Sequence, residues 1–549
     1  MYKFFYCKNI MNLFKTLVFI LFLPICSVTA QNNVSNVWVS DLGNGAYKNP
    51  VLYADYSDPD VCRVGEDFYM TASSFNCIPG LPVLHSRDLV NWTIIGHAVT
   101  KLTPDSVFAR PQHGNGIWAP SIRYHEGEFY IYYGDPDYGI YMTKTKDPAG
   151  EWEPLVLVKV GKGLIDSCPL WDDDGQAYLV YAYAGSRAGI KSILMATRLS
   201  ADGKRVIGES RVIYDGHDDD PTIEGPKFYK RNGYYYIFAP AGGVKTGWQL
   251  ALRSKNVFGP YERRVVMAQG ETNINGPHQG AWVDTSTGED WFIHFQDVGM
   301  AGRLVHLQPM VWKNDFPIIG DDKNGTGCGE PVLTWKKPNT GKTYPIATPA
   351  ESDEFNDATI GLQWQWHANP QPWWLFVNQE KGCLSLFSVP VPANYRNLWD
   401  VPNLLLQKIP APEFKATMKL TFIPNPQIKD ERAGFLVMGQ DYALLSLTNT
   451  SNGFILSQVE CTNAERGTPE KINASVTLKN PVVYLRVNVK GDECTFGYSA
   501  DGIEYIELGK TFRAKEGKWI GAKIGMFCLR PITNNDGGRI DVDWFRIEK

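Results

Sequence analysis

The sequence of 549 residues contains no apolar stretch long enough to cross a membrane, which takes about 20 residues. Its clearest apolar stretch, residues 16–26, is shorter and lies near the start of the chain. Three lysines precede this stretch, and a small-residue segment ending at Ala30 follows it, an order typical of a signal peptide. We therefore predict a signal peptide over residues 1–30, export to the periplasm or the extracellular space, and no membrane span.

Basic residues are not in excess in this chain. Lys and Arg total 54 against 59 Asp and Glu, which gives a formal net charge of −5. Loss of residues 1–30 removes three lysines and no acids, so the charge becomes −8. A mildly acidic surface argues against nucleic acid as a partner, because the phosphate backbone is bound mainly through Lys and Arg.

Cysteine is scarce, with ten residues in the chain and eight of them after residue 30. These eight lack the paired C-x-x-C spacing of zinc sites, and their density is too low for a disulfide-built scaffold. Cys62 and Cys77 are able to form a disulfide in an oxidising compartment. The alternative, buried free thiols in β-strands, fits the sequence at least as well.

Long segments with helical periodicity are also missing, and short apolar runs broken by turn residues occupy residues 45–318. One pattern recurs there five times: a turn with proline or glycine, an apolar run, a polar tip and paired aromatic residues. The turns are Asp58-Pro59, Ala119-Pro120, Cys168-Pro169, Gly225-Pro226 and Gln279-Gly280. Their spacings of 61, 49, 57 and 54 residues fit one four-stranded blade with its loops. We predict an all-β protein with a five-bladed β-propeller over residues 31–330.

The composition changes after residue 330. Gly, Asp, Asn, Lys and Pro predominate up to residue 352 with few apolar residues between them, which predicts a linker over residues 331–352. Residues 353–549 again alternate apolar with polar positions, but without the repeat, as strands of an antiparallel β-sandwich do. Four tryptophans lie near the start of this domain, and we expect some of their rings to pack against the propeller.

Three acids lie at or just before turns of the repeat: Asp58, Asp166 and Glu224. The innermost strands of a propeller direct the same end at one central axis, so these side chains are predicted to converge in one pocket. Three converging carboxyl groups repel one another, which favours a chemical role over a structural one. A glycosidic bond needs one carboxyl group as acid and, for inversion, one as base, and a third near the acid raises its pKa.

The segments around these acids resemble the motifs of glycoside hydrolase family 43, in particular its β-xylosidase and α-L-arabinofuranosidase branch. The matching segments are Asp58–Val61, Ile165–Ser167 followed by Pro169, Glu224–Pro226, and Gly302-Arg303 leading to Leu307–Pro309. Beyond them, Asp353-Glu354-Phe355 resembles the start of a concanavalin-like, jelly-roll sandwich. The resemblance covers nearly the whole chain after residue 30.

The resemblance implies roles for four residues. Asp58 is expected to be the general base and Glu224 the general acid. Asp166 is expected to modulate the pKa of the acid and to orient the site, and Arg303 to bind the terminal sugar. The implied activity is that of an exo-acting inverting hydrolase that releases terminal β-D-xylosyl or α-L-arabinofuranosyl groups from oligosaccharides of plant hemicellulose, with no required cofactor.

Three further residues are candidates for the site. Trp118, before the second turn, and Phe75, after the first inner strand, are candidate walls against a sugar ring. The family often carries a cation on the propeller axis near a histidine, and His278 matches that position, which implies a structural calcium ion there. His278 is also explained as a turn histidine bonded to backbone.

Two other functions compete with this one. Propeller hydrolases that act on fructosides with retention carry an N-D-P-N and an E-C motif, whereas this chain has Ser57–Asp60 and Glu224-Gly225 at those places. A non-catalytic sugar-binding propeller is expected to have lost at least one acid, and all three are present. Both observations favour the inverting hydrolase.

Overall fold

The computed structural model of the protein describes residues 34–451 and 453–549, so the predicted signal peptide lies outside the described residues. The chain first forms strand β1 (Ala46–Lys48) and then five four-stranded antiparallel sheets. Two eight-stranded sheets follow. The prediction of a five-bladed β-propeller followed by a C-terminal β-sandwich is thus confirmed.

Each blade consists of four strands that are consecutive in the chain and pair in sequence order. The first blade contains β2 (Asp60–Val64), β3 (Asp67–Thr71), β4 (Gly80–Ser86) and β5 (Trp92–Val99). The second contains β6 (Trp118–His125), β7 (Glu128–Asp135), β8 (Gly139–Thr145) and β9 (Val156–Val160). The third contains β10 (Leu164–Trp171), β11 (Ala177–Tyr183), β12 (Ile193–Leu199) and β13 (Arg211–Asp215).

The fourth blade contains β14 (Lys227–Arg231), β15 (Tyr234–Ala241), β16 (Trp248–Ser254) and β17 (Glu262–Ala268). The fifth contains β18 (His278–Asp284), β19 (Asp290–Asp297), β20 (Arg303–Lys313) and β21 (Phe316–Ile319). The first strands of the first four blades contact one another in order, β15 of the fourth blade contacts β18 of the fifth, and β18 contacts β2, which closes the ring. Two short helices, α1 (Asp105–Phe108) and α2 (Gly185–Ala188), lie in loops between strands.

Hairpin tips join the first and second strand of each blade. At Asn232-Gly233 both residues have positive φ, 51° and 69°, as a two-residue turn between right-twisted strands requires. The apolar and aromatic faces of adjacent blades then pack together, as in the buried group from the third and fourth blades around Val180, Phe228 and Ile237. Inter-blade packing therefore accounts for most of the aromatic residues of the repeat.

A residue with left-handed backbone lies at the axial end of every first strand. The five residues are Asp58 (φ 54°), Ala119 (32°), Asp166 (58°), Gly225 (58°) and Gln279 (32°). The strand pairing shifts register around Ala119, Asp166 and Gln279, so these are β-bulges, which re-aim side chains beside functional sites. The prediction of a turn at Cys168-Pro169 is wrong, because Pro169 lies within β10 and pairs with Leu179. The irregular position is Asp166, two residues before Cys168.

Residues between the two domains are fixed by contacts. Strand β22 (Thr334–Lys336) pairs antiparallel with β1. Further on, Ala347 N–H donates to Asn91 Oδ1, and the Glu351 carboxylate accepts from Ser35 Oγ at 2.8 Å. This connecting segment therefore runs along the propeller before it enters the sandwich.

The sandwich consists of two sheets whose inner faces enclose one apolar core. One sheet contains β23 (Gln365–Trp366), β26 (Val389–Pro390), β27 (Leu405–Lys408), β29 (Arg432–Met438), β30 (Tyr442–Thr450), β31 (Gly453–Cys461), β32 (Lys471–Leu478) and β37 (Lys523–Arg530). The other contains β24 (Leu375–Asn378), β25 (Cys383–Phe387), β28 (Glu413–Ile423), β33 (Val482–Lys490), β34 (Glu493–Ser499), β35 (Ile506–Glu507), β36 (Phe512–Arg513) and β38 (Arg539–Glu548). Alternation is clearest in β33, where every second residue is buried.

The sandwich contacts the propeller through hydrogen bonds of buried groups. Trp366 and Ile78 exchange backbone hydrogen bonds. Asn369 Oδ1 accepts from Leu102 N–H at 2.8 Å, and its amide donates to Leu102 O and to Asp105 Oδ1, both at 2.9 Å. Of the four clustered tryptophans, Trp364, Trp366 and Trp374 lie in the sandwich core, and Trp373 is half exposed.

The structure also bears on the thiols of Cys62 and Cys77 and on membrane-spanning helices among the described residues. Cys62 and Cys77 are both free thiols in the structure, so the disulfide between them does not form there. None of the helices among residues 34–451 and 453–549 is long and apolar enough to cross a membrane.

Replacing Asn369 by Ala is expected to lower the free energy of unfolding by about 1–3 kcal/mol, because the buried amide and carbonyl of Leu102 lose their partner. Urea denaturation followed by tryptophan fluorescence measures this. The matched control is Asn473→Ala, since the Asn473 amide donates to Gln458 and Glu460 within the sandwich, away from the propeller. Equal, small effects of both substitutions would show that the interdomain hydrogen bonds carry no stability.

Candidate active site

A pocket of about 500 Å³ opens at the axial ends of the first strands. It collects the three predicted acids together with every other residue that the sequence assigned to the site. The lining residues are Asp58, Phe75, Trp118, Ala119, Ile165, Asp166, Glu224, Val244, His278, Gln279, Arg303 and Trp519. All five blades contribute residues at or beside their axial turns, and the sandwich contributes Trp519.

Asp58 is buried and held from both sides. Its Oδ2 accepts a hydrogen bond from Ser73 Oγ at 2.6 Å, and its Oδ1 accepts from Arg303 Nη1 at 2.9 Å. Ser73 Oγ in turn accepts from the backbone N–H of Ala119 at 2.7 Å, which connects the first blade to the second. Both oxygens of the Asp58 carboxyl group thus accept a hydrogen bond, one from a hydroxyl and one from a guanidinium.

Asp166 is also buried, but its partners are neutral. Its Oδ2 accepts from the backbone N–H of Gly225 at 2.8 Å and from Gln279 Nε2 at 3.0 Å. Only glycine fits at position 225, because φ is 58° there and a Cβ atom would lie 2.5 Å from Gln279 Cγ. Burial raises the pKa of Asp166 to about 7, the charge of Asp58 also raises it, and the two hydrogen bonds act in the opposite direction.

Glu224 differs from both aspartates because its carboxyl group accepts no hydrogen bond from the described residues, and about a quarter of its side chain is exposed to the pocket. Burial raises the pKa of Glu224 to about 8, and the neighbouring charges of Asp166 and Asp58 raise it too. Since hydrogen bonds stabilise the carboxylate of Asp166, the proton that the two groups share at neutral pH resides on Glu224. The pocket thus places a protonated acid and an ionised carboxylate around one space.

Arg303 begins β20 and carries the positive charge of the pocket wall. Besides its bond to Asp58, its guanidinium lies over the rings of Phe295, at 4.8 Å, and Trp519, at 6.0 Å. Its backbone N–H donates to Asp55 Oδ1 at 2.9 Å. These contacts hold Arg303 in the wall of the pocket, which it lines.

Three aromatic rings form the apolar part of the wall. Trp118 contacts Phe75 edge-on, with ring centroids 6.3 Å apart, and Trp519 edge-on at 6.2 Å. The indole N–H of Trp118 donates to Gly114 O, which orients the ring. Phe75 is buried with φ 52°, an unusual backbone for a bulky residue and one that occurs mainly at functional positions.

His278 lies at the bottom of the pocket beside Glu224, with Nε2 3.6 Å from Oε1. Burial lowers the pKa of His278 to about 3, so the ring is neutral. Neither ring nitrogen has a hydrogen-bond partner among the described residues. However, the part of the chain that the structure describes contains no group of three or more His, Cys, Asp or Glu side chains that could hold a metal ion. The calcium ion stays a prediction from the resemblance.

Sequence reasoning missed three residues that shape the site. Gln279 occupies the position in the fifth blade that Asp58 and Asp166 occupy in theirs. The repeat could therefore have predicted that Gln279 lies in the site. Its Oε1 is buried without a partner among the described residues and is free to accept from a ligand hydroxyl. No sequence pattern indicated Ser73 or Trp519, because a residue's distance from the acids along the chain does not predict its distance from them in space.

Comparisons with known proteins match both domains. Residues 47–317 fit the model of glycosyl hydrolases family 43, and residues 352–548 fit the model of the beta xylosidase C-terminal concanavalin A-like domain. The chain is 40% identical over 490 residues to a putative beta-xylosidase of Xylanibacter ruminicola, covering 89% of this chain and 87% of that protein. It is 28% identical over 539 residues to a non-reducing end α-L-arabinofuranosidase of Bacteroides ovatus, covering 93% and 96%. The solved GH43 protein BlXynB of Bacillus licheniformis is similar with a TM-score of 0.79 and 26% identity, over 92% of this chain and 99% of that one.

Replacing Asp166 by Asn is expected to stabilise the protein at pH 8 by roughly 1–3 kcal/mol and to have little effect at pH 4. An acid whose pKa is raised on folding costs stability as pH rises from its unfolded value near 4 to its folded value of about 7. Asn removes this cost while its Oδ1 still accepts from Gly225 and Gln279. Thermal unfolding across pH 4–8 measures the effect.

The control is Asp173→Asn, whose side chain is 88% exposed. A stabilisation that is the same at pH 4 and pH 8 would contradict the assignment of a raised pKa to Asp166.

Proposed function

Because the chain belongs to glycosyl hydrolase family 43 and is a glycosidase, we propose that it is an exo-acting inverting hydrolase of terminal pentoses. Its substrates are β-D-xylosyl and α-L-arabinofuranosyl groups at the ends of oligosaccharides from plant hemicellulose. This proposal rests on the different surroundings of three carboxyl groups in one pocket. Asp58 accepts a hydrogen bond from a guanidinium, Asp166 accepts hydrogen bonds from two neutral donors, and Glu224 accepts from neither kind of donor.

The proposed reaction follows from these environments. Glu224 donates its proton to the glycosidic oxygen as the bond from that oxygen to the anomeric carbon breaks. Asp58 removes a proton from a water molecule, whose oxygen forms the new bond to the anomeric carbon from the opposite face. Asp166 keeps the proton on Glu224 by its negative charge. Acid and base both come from the protein, so the reaction needs no cofactor.

The pocket walls support an exo mode of action. Phe75, Trp118 and Trp519 surround the space above the acids, and Trp519 comes from the sandwich, so the second domain closes a side that the propeller leaves open. Aromatic faces stack on the C–H patches of a sugar ring, while Arg303 and Gln279 offer a donor and an acceptor for its hydroxyl groups. Such a pocket accommodates the terminal sugar of a chain.

The choice of pentoses rests on the names of the relatives. One relative is named a beta-xylosidase and another an α-L-arabinofuranosidase. Xylose and arabinofuranose present similar hydroxyl groups to the same acids, so we propose activity on either or both. We also propose that residues 1–30 direct export to the periplasm or the extracellular space, where such oligosaccharides occur.

The test is hydrolysis of the 4-nitrophenyl glycosides of β-D-xylose and α-L-arabinofuranose by the purified protein. We expect release of nitrophenol from at least one of them. Proton NMR of the first-formed sugar, recorded before mutarotation, should show the inverted anomer. Retention would overturn the mechanism, and failure on both glycosides would overturn the pentose specificity.

Glu224→Gln tests the proton donor. We expect a loss of about 10²–10⁴-fold on xylobiose or arabinobiose, whose alcohol leaving group needs protonation, and a much smaller loss on an activated aryl glycoside. The ratio of kcat/KM values on the two substrate types measures this. Glu126→Gln, on an exposed hairpin tip, is the matched control and should change neither rate. Equal losses on both substrate types would mean that Glu224 orients the substrate and donates no proton.

A further inference from the structure

We propose that Asp220 is a positioning residue for this reaction: its carboxylate anchors the connection between the third and fourth blades, which presents Glu224 to the pocket. This connection comprises residues 216–226, between β13 and β14. The proposal rests on the proposed function, because it assigns a role within that reaction. It follows from the hydrogen bonds of the Asp220 side chain and from those of the backbone between Asp220 and Glu224.

Glu224 depends on its backbone for its position, because its carboxyl group accepts no hydrogen bond from the described residues. On the C-terminal side, Gly225 N–H donates to Asp166 Oδ2 at 2.8 Å. On the N-terminal side, Ile223 is 1% exposed and packs in the apolar core that the third and fourth blades share. Whatever fixes Ile223 therefore also fixes the acid that follows it.

The Asp220 carboxylate is buried, with 0% of the residue exposed, and accepts four hydrogen bonds. Arg263 of the fourth blade donates from Nε to Oδ2 and from Nη2 to Oδ1, both at 2.7 Å. Trp248 Nε1, from the same blade, donates to Oδ1 at 3.1 Å. The hydroxyl of Tyr214, in the last strand of the third blade, donates to Oδ2. The carboxylate thus joins the two blades between which the connection runs.

The backbone of Asp220 folds the connection into a compact turn. Asp220 N–H donates to Gly216 O at 2.9 Å, and Ile223 N–H donates to Asp220 O at 3.1 Å. Gly216 lies so close that a Cβ atom there would be 2.7 Å from Asp220 O and 2.8 Å from Ile223 Cγ2. Fixing the Asp220 side chain therefore also fixes Ile223, which is one residue before Glu224.

Both blades also bind the backbone between Asp220 and the acid. Thr222 N–H donates to Ser192 Oγ at 2.8 Å, beside β12 of the third blade. Glu224 N–H donates to Pro240 O at 3.1 Å, in β15 of the fourth blade. These two hydrogen bonds are made together only when the connection lies in one place between the blades.

Placement accounts for the buried pair of Asp220 and Arg263 better than stability does. Asp218, Asp219 and Asp220 are consecutive, but only Asp220 is buried. Burying a carboxylate costs hydration, and a buried ion pair often adds little net stability. A bidentate pair does fix geometry, because the planar guanidinium binds both carboxylate oxygens in one orientation.

Loss of this anchor is expected to affect proton donation more than sugar binding. A general acid acts only within hydrogen-bond reach of the leaving oxygen, and a displacement of about 1 Å can cost on the order of 10²-fold in rate. Without the Asp220 anchor, the connection is free to shift, and Glu224 moves relative to the sugar. Arg303 and Trp118, which are proposed to bind that sugar, belong to other elements and stay in place.

The test compares Asp220→Asn with the wild type on two kinds of substrate. Asn keeps the size of the side chain, but it removes the charge and places an NH₂ group against the donors of Arg263. We expect kcat on xylobiose or arabinobiose to fall about 10–100-fold with little change in KM, and a much smaller loss on a 4-nitrophenyl glycoside. A variant that is merely less stable would lose the same fraction of its rate on both substrates.

Arg263→Gln removes the other half of the pair. Its side chain is 37% exposed, so this variant gives the same comparison if Asp220→Asn does not fold. The double variant should lose no more than either single variant, because all three lack the same anchor. Glu262→Gln is the matched control, since Glu262 accepts from Arg253 Nη2 at 2.6 Å in the same blade, at the end of β16 opposite Trp248. Its rates should equal those of the wild type.

Hydrogen–deuterium exchange measures the connection itself, independently of activity. In the wild type, the N–H groups of Thr222, Ile223 and Glu224 are all hydrogen-bonded. In Asp220→Asn, peptides that cover residues 216–226 should therefore exchange faster than in the wild type. Peptides from the sandwich should exchange at the same rate in both proteins.

Wild-type rates for Asp220→Asn, or equal fractional losses on both kinds of substrate, would overturn the positioning role. Either result leaves the proposed function standing, because the wild-type enzyme is still active. Conversely, a wild-type protein without glycosidase activity would overturn the proposed function, while exchange over residues 216–226 would still report whether Asp220 anchors the connection.

Discussion

Mutual repulsion of three carboxyl groups in one pocket is the constraint on which the rest of this structure depends. Asp58, Asp166 and Glu224 share one pocket, where the effective dielectric constant is lower than in water and like charges repel strongly. Each group is tolerated for a different reason. Arg303 compensates Asp58, two neutral donors stabilise Asp166, and Glu224 keeps a proton. The same arrangement that makes the pocket stable thus makes it reactive.

The fold brings these groups together by a repeated irregularity. Regular strands would point successive side chains to alternating faces of a blade, away from the axis. Left-handed backbone occurs at the axial end of the first strand of every blade, and four of these five residues carry a side chain and line the pocket. Two of the five positions carry Asp, and Gln279 occupies a third. Non-glycine residues in this conformation cost on the order of 1–3 kcal/mol each, which the surrounding blades offset.

Much of the fold was predictable because local sequence patterns indicate its hairpins and strands. Turn residues such as Asn232-Gly233 and the alternation in β28, β33 and β38 mark the hairpins and strands directly. The repeat located Asp58 and Glu224 at strand ends, but it misplaced the third turn at Cys168-Pro169. A proline within the strand resembled the prolines of the other turns, and the bulge at Asp166, which lacks one, left no such mark.

Residues that depend on tertiary contact were not predictable from one sequence. Trp519 is more than 200 residues from every acid, and its loop reaches the pocket only because the sandwich is anchored on the propeller. Lys227 is indistinguishable in the sequence from a surface lysine of a strand, although it is buried and its ammonium donates to Pro120 O and Ser121 Oγ of the second blade. In both cases the contacts are made with another blade or another domain. The alternation of apolar and polar residues within a single strand does not reveal such contacts.

Asp55 connects the two domains through hydrogen bonds to both. One of its carboxylate oxygens accepts from the backbone of Arg303 and the other from the backbone of Gly521, two residues after Trp519. Gly302 and Gly521 approach so closely that a Cβ atom on Gly302 would lie 2.6 Å from the Gly521 nitrogen. A propeller joined to an unrelated sandwich would leave one oxygen of Asp55 without the N–H of Gly521, and any residue larger than glycine at position 302 would clash with the chain at Gly521. The two domains are therefore not interchangeable parts, because each restricts the residues that the other can carry where they meet.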